Sequence, residues 1–194
     1  MSSYFSASED FLNSKKTRNE GNTSFNSYNC GGYALSTFSW FCPYVAGCRY
    51  CDMLHMDNYN NDERCRAELI FELYEDGFDK DEIIDYLLLR DKNFMLSVFK
   101  DSLRSISSPE EANEDEEVIA YRLCINLYED EYGEVREEDI DEDFHFLVFR
   151  DGQWMHKPGS DMIQPFEGDI YKPWVSSVDL VYTGKILFFA NKIR

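Results

Sequence analysis

The chain has 194 residues, 43% hydrophobic and 16% aromatic, enough to bury a substantial core and too many to leave most of it disordered. Lysine and arginine number 19 against 38 aspartates and glutamates, so the formal net charge is -19. A field of that sign repels phosphate backbones and anionic bilayers, which excludes nucleic acid and membrane as expected partners and favours a basic substrate or a protein met through the acidic surface.

Residues 1–26, rich in Ser, Asn and charge, read as a loosely structured lead-in to a single domain over 27–194. The polar start lacks the apolar core of a secretion signal, and no run reaches the ~18 apolar residues of a membrane span. The expected setting is cytoplasmic, with the cysteines reduced.

From Cys30, the residues Tyr33, Ala34, Leu35, Phe38 and Phe41 recur at helical spacing until Pro43. Cys30 is therefore expected in a first helical turn. Asp62 to Tyr74 places Leu69, Ile70, Leu73 and Tyr74 on one face, with Gly77 as the stop. Asp79 with Glu82 three residues on is a capping-box start for a helix carrying Ile83, Ile84, Leu87 and Leu88. A further helix is expected from Asp91 to about Leu103, ended by Ser107-Ser108-Pro109.

Strand periodicity begins at Ile119 and runs through Tyr121, Leu123, Ile125 and Leu127. Phe144 to Arg150 and Gln153 to Lys157 flank Asp151-Gly152, the composition of a two-residue hairpin turn. Val178 to Tyr182 and Ile186 to Ala190 complete the strand candidates. Helices followed by an antiparallel sheet make an α+β protein, with helical and acidic insertions over about 57–143.

Two distant stretches carry chemistry: Asn29-Cys30-Gly31-Gly32 and Asp143-Phe144-His145 with Trp154-Met155-His156-Lys157. A thiol at a helix start is activated by the helix dipole and an adjacent imidazole, and the two glycines leave the approach to the sulfur open for backbone N–H groups to face an oxyanion. With Asp151-Gly152 as the turn, Arg150 opposes Gln153, Val148 opposes Met155 and Leu147 opposes His156. His145 and His156 then fall diagonally on one face, where one imidazole can orient the other.

Those residues resemble the papain-like cysteine hydrolases, in particular the NlpC/P60 branch. There a cysteine opens a helix, a histidine opens a strand, and a third polar residue lies on the next strand. The resemblance implies Cys30 as nucleophile, His145 as base and His156 as third member, acting on an amide or peptide bond through a thioester without a cofactor. The same segments are similar to uncharacterised bacterial and phage proteins. The family's Asp-Cys-Ser-Gly is Asn-Cys-Gly-Gly here, and the glutamine found about six residues before the nucleophile in some relatives is Ser24. Asn26, Tyr28 and Asn29 are the substitutes expected for the oxyanion hole, and Asp169 and Asp161 are alternative orienters of His145.

Two other signals compete. Cys42, Cys48, Cys51 and His55, spaced C-x5-C-x2-C-x3-H, have donor types suited to a structural zinc at a spacing that fits standard sites only loosely, and such a zinc would make the chain a zinc-stapled interaction domain. The 16 carboxylates between Glu110 and Asp143 suit an acidic binding or inhibitor protein that imitates a phosphate backbone, as a phage-encoded inhibitor would.

Overall fold

A twelve-residue strand with apolar side chains on both faces must be covered twice, and the fold is organised around that requirement. The computed structural model describes residues 28–37, 41, 43, 66–158, 162–175 and 180–193. The helices are α1 (Cys30–Ala34), α2 (Arg66–Glu75) and α3 (Lys80–Val98). The strands are β1 (Leu103–Ile106), β2 (Glu116–Leu127), β3 (Ile140–Arg150), β4 (Gln153–His156), β5 (Gln164–Pro165), β6 (Trp174–Val175), β7 (Val181–Tyr182) and β8 (Leu187–Lys192).

Six strands form one antiparallel sheet in the order β1-β8-β2-β3-β4-β5, and β6 pairs with β7 in a separate two-stranded ribbon. The α+β class is as expected. On β2, Ile119, Tyr121, Leu123 and Ile125 face the helices together with Phe144, Phe146 and Val148 of β3. Val118, Ala120 and Cys124 face the other way, with Leu147 of β3, under Ile170, Trp174 and Tyr182 from the C-terminal segment. Both faces of the central strand are thus covered, which is why apolar residues follow one another over 118–121 and again over 123–125.

The capping box at Asp79 is present: its carboxylate accepts from the Glu82 N–H at 2.9 Å, and Glu82 accepts from the Asp79 N–H at 3.0 Å. The two helices expected over 79–103 are one, because no glycine or proline interrupts the pattern at Asp91. Asp91 is turned inward instead, 1% exposed and bound through both carboxylate oxygens to Arg66. β1 replaces the expected end of that helix and pairs with β8. α1 is shorter than its apolar spacing suggests. A Schellman closure ends it, with Thr37 N–H donating to the Gly32 carbonyl and Ser36, at φ 58°, donating to the Tyr33 carbonyl.

Gly31 has a different role from the expected one. A Cβ there would lie 2.9 Å from the Phe41 carbonyl oxygen and 3.0 Å from its ring, with Phe146 at 3.3 Å. The missing side chain lets α1 press against β3 and the Phe41 segment; it does not open a path to the sulfur. Gly31→Ala is expected to destabilise the fold by about 1–3 kcal/mol, measured by urea unfolding, because backbone rather than a flexible side chain must move.

Candidate active site

Cys30 opens α1 behind an Asn29 cap. Asn29 Oδ1 accepts from the Gly32 N–H at 3.0 Å and the Phe41 N–H at 3.1 Å, and its Nδ2 donates to the Phe41 carbonyl at 2.8 Å. The amide expected as an oxyanion donor therefore bolts residue 41 to the helix start. Arg150 holds the other end of α1: it pairs with Glu117 at 2.5 Å, reaches Ser36 Oγ at 3.0 Å, and lies over the Tyr33 ring. The cysteine is fixed at both ends of a five-residue helix.

The hairpin delivers the imidazoles. Asp151 and Gly152 adopt φ 51° and 81°, the left-handed pair a type I′ turn needs, and Val148 pairs with Met155 and Arg150 with Gln153 as the turn chemistry predicts. His145 and His156 meet: His145 Nε2 lies 2.9 Å from His156 Nδ1, with the rings edge to face. That bond leaves His145 Nδ1, the ring nitrogen nearest the strand, for a second partner. Trp174 and Tyr182 flank the His145 ring, with centroids at 6.4 and 5.8 Å, and Phe166 sits edge-on to His156.

The sulfur reaches the same strand from the helical side. Cys30 Sγ lies 3.9 Å from the Phe144 carbonyl, to which the thiol donates, and the Phe146 N–H faces it as well. Those two peptide groups are the ones that join His145 to its neighbours, so the sulfur rests against the backbone of the histidine itself. Among the described residues no hydrogen bond joins the thiol to either imidazole.

Burial sets the charge state. It pushes the Cys30 thiol up to about 12, helped by the Asp143 charge and only partly opposed by the Phe146 and Gly31 N–H groups and by Lys157. The expected activation by a helix dipole is overridden, since a five-residue helix adds little field and the thiol is 5% exposed. Burial lowers His145 to about 3, with His156 adding to it, and lowers His156 to about 4. The resting site is a neutral thiol beside a neutral imidazole pair.

Unfolded histidines titrate near ~6.5, so between that value and the folded values the unfolded chain binds protons that the folded chain refuses. The imidazole contribution to stability is therefore fully present above pH ~6.5 and is lost as pH falls toward 3–4, by on the order of a few kcal/mol. Urea titrations at neutral and acid pH check this. The His145→Gln/His156→Gln variant is expected to lose that acid slope, and the difference from wild type separates the imidazoles from the many carboxylates.

Asp169 does not orient His145. It is exposed, and its carboxylate accepts from the Tyr171 N–H at 2.9 Å within its own turn. The carboxylate that does enter the site is Asp143, two residues before His145 on the same strand face, which accepts from the Tyr182 hydroxyl. Burial and that carboxylate raise the Tyr182 phenol, so it stays protonated as a donor. The i, i+2 spacing of Asp143 and His145 was readable as a shared face; Tyr182 and Trp174 carried no local signal. Tyr28, buried at 2%, lies under the Lys157 ammonium rather than near a carbonyl-binding position.

Asn26, Asp161 and the zinc set Cys42, Cys48, Cys51 and His55 lie outside the described residues. Among the described residues no group of three or more His, Cys, Asp or Glu is arranged to hold a metal, and no helix is long and apolar enough to cross a membrane. Cys30 and Cys124 carry no disulfide. No protein-family model matches the chain, and neither a curated protein nor a solved structure does.

Proposed function

We propose that this chain is a cysteine hydrolase of the papain-like type that cleaves an amide or peptide bond through a thioester on Cys30. The observation that carries the reading is the pairing of His145 Nε2 with His156 Nδ1, on a strand whose backbone at His145 receives the Cys30 sulfur. In this reading the tautomer pair is the one in which His145 Nε2–H donates to His156 Nδ1. The lone pair of His145 Nδ1 is then available as a general base.

At rest the thiol donates to the Phe144 carbonyl, so the reaction requires the sulfur to turn from that carbonyl toward the His145 ring. The thiol proton then passes to His145 Nδ1 as the sulfur bonds to the substrate carbonyl carbon, and the carbonyl π pair moves onto oxygen. Collapse restores the carbonyl, breaks the carbon–nitrogen bond and expels the amine with the proton from His145. Water then adds to the thioester by the same base, releasing the acid and the thiol. The N–H of Cys30 itself has no intrahelical acceptor at the helix start and suits the oxyanion.

An acidic binding or inhibitor protein rests on the net charge of -19 alone, and a zinc-stapled domain rests on residues 42–55; neither accounts for the imidazole pair. The test is p-nitrophenyl acetate. A burst of p-nitrophenol with the acetyl group mapped to Cys30 by mass spectrometry is expected. Acetyl distributed over lysines, with none on Cys30, would overturn the reading.

A further inference from the structure

Arg122 is a charged side chain in the interior of the central strand, only 5% exposed. The β2–β3 register sets it directly opposite His145, and both side chains lie against Trp174. Its Cζ is 4.9 Å from the centroid of the Trp174 ring. Nη1 donates to the Lys172 carbonyl at 2.6 Å and the Tyr182 carbonyl at 3.2 Å, and Nη2 lies 3.5 Å from the Tyr171 carbonyl. Among the described residues Arg122 meets peptide carbonyls and no carboxylate, and its Nε is buried without a partner. Burying a cation without an anion is costly, so its place calls for a reason. The carbonyls themselves supply one. Tyr171 and Lys172 lead into β6, and Tyr182 ends β7. A ribbon of two residues per strand is too short to hold itself in water, and β6–β7 stands outside the main sheet. Arg122 ties both of its strands to β2. Trp174 and Tyr182, paired across that ribbon, are the residues that flank the His145 ring.

We propose that Arg122 is a positioning residue of the thiol-hydrolase site: its guanidinium fork fastens the β6–β7 ribbon so that Trp174 and Tyr182 lie against His145 and limit the water around the base. The proposal rests on the thiol-hydrolase reading above. Arg122 acts through the ribbon and takes no part in the proton transfer. A guanidinium suits the task because it stays charged when buried and presents several donors at fixed angles, whereas an ammonium is a single point on a flexible stem. The ionisable groups around His145 are Arg122 and Cys124 from β2, Asp143 from its own strand, His156 from β4, Tyr182 from β7, and Cys30 against its flanking peptide groups. His156 is hydrogen-bonded to it, and Asp143 is engaged by the Tyr182 hydroxyl. Releasing the ribbon hydrates the imidazole, and removing Arg122 also takes a cation from the facing strand position. Both changes favour the imidazolium, so the base takes up its proton at higher pH.

The experiment uses the full chain with 15N-labelled histidine. Its three histidines give three imidazole signal sets, assigned through His145→Gln and His156→Gln, whose ring-nitrogen shifts read proton occupancy directly. In the wild type His145 is expected to be neutral at pH 5.5, in one tautomer with its proton on Nε2. Arg122→Met should raise its midpoint by about two pH units, toward the ordinary histidine range, and average its tautomers at neutral pH. Arg122→Lys, which keeps the charge and loses the fork, should follow the methionine variant most of the way. Arg122→Gln serves the same comparison where the methionine variant does not fold. A merely structural arginine would lower the urea midpoint and leave the imidazole signals of the folded protein unchanged. If Arg122→Met or Arg122→Gln leaves tautomer and midpoint at wild-type values, or if Arg122→Lys restores both completely, fastening by the fork is overturned while acetylation of wild-type Cys30 keeps the hydrolase reading. If wild-type Cys30 takes up no acetyl from p-nitrophenyl acetate, the hydrolase reading falls and the positioning role with it.

Discussion

His145→Ala is expected to slow acylation of Cys30 by about 10²–10⁴-fold, the range a positioned general base supplies. The reason is the state of the thiol. With its pKa pushed up to about 12, the thiolate is a vanishing fraction at neutral pH, so the reaction depends on a base that takes the proton as the sulfur attacks. His156→Ala is expected to cost less, about 10²-fold, since His145 keeps its nitrogen but loses the partner that selects its tautomer. The double variant should fall well short of the product of the two effects, because both act through one proton. Burial has lowered His145 to about 3, so the base stays unprotonated well below the usual histidine range. The acylation rate is therefore expected to hold nearly constant from pH 7 down to about 5. Burst kinetics with p-nitrophenyl acetate measure all of this, and an acid limb centred near pH ~6.5 would contradict the buried, neutral base.

Asp91→Ala is expected to destabilise the fold by about 3–5 kcal/mol, the cost of leaving a buried charge without its partner. Arg66 and Asp91 are 2% and 1% exposed and joined by two hydrogen bonds of 2.9 Å. Asp91 also accepts from the Tyr121 hydroxyl at 2.6 Å, and Arg66 Nε lies 3.5 Å from Glu142. One carboxylate thus ties α2, α3 and the central strand together. Tyr121→Phe removes only one hydrogen bond and should cost about 1 kcal/mol. The paired change Arg66→Met/Asp91→Leu should recover most of the loss, since apolar residues of similar volume avoid the desolvation of both charges. Urea midpoints across the three variants check the order. A small loss in Asp91→Ala would show that Arg66 finds water or Glu142 instead.

The hairpin is legible in the sequence because every signal in it is local. Asp151-Gly152 dictates the turn, the turn dictates the register, and the register places His145 diagonal to His156. The capping box at Asp79 and the stop at Gly77, at φ 90°, were legible for the same reason. Where the deciding contacts are long-range, local pattern misleads. Asp91 looks like a helix start in one dimension, yet it is an interior helical residue because its charge is answered by Arg66, 25 positions away. Asn29 and Gly31 looked like oxyanion machinery, but their surroundings, Phe41 and Phe146, come from sequence-distant segments that make them structural.

What the chain determines by itself is therefore periodicity, turn chemistry and the identity of the groups able to do thiol chemistry. Tertiary structure alone decides their charge state. Helix position argues for an activated Cys30, but burial and Asp143 hold it as a thiol, and the aromatic walls supplied by Trp174, Tyr182 and Phe166 keep the imidazole pair neutral. The physical reason is that desolvation depends on everything packed around a group, and most of what packs around this one arrives from elsewhere in the chain. The same holds for Lys157, an ordinary residue in the sequence and a buried cation over the Tyr28 ring in the fold.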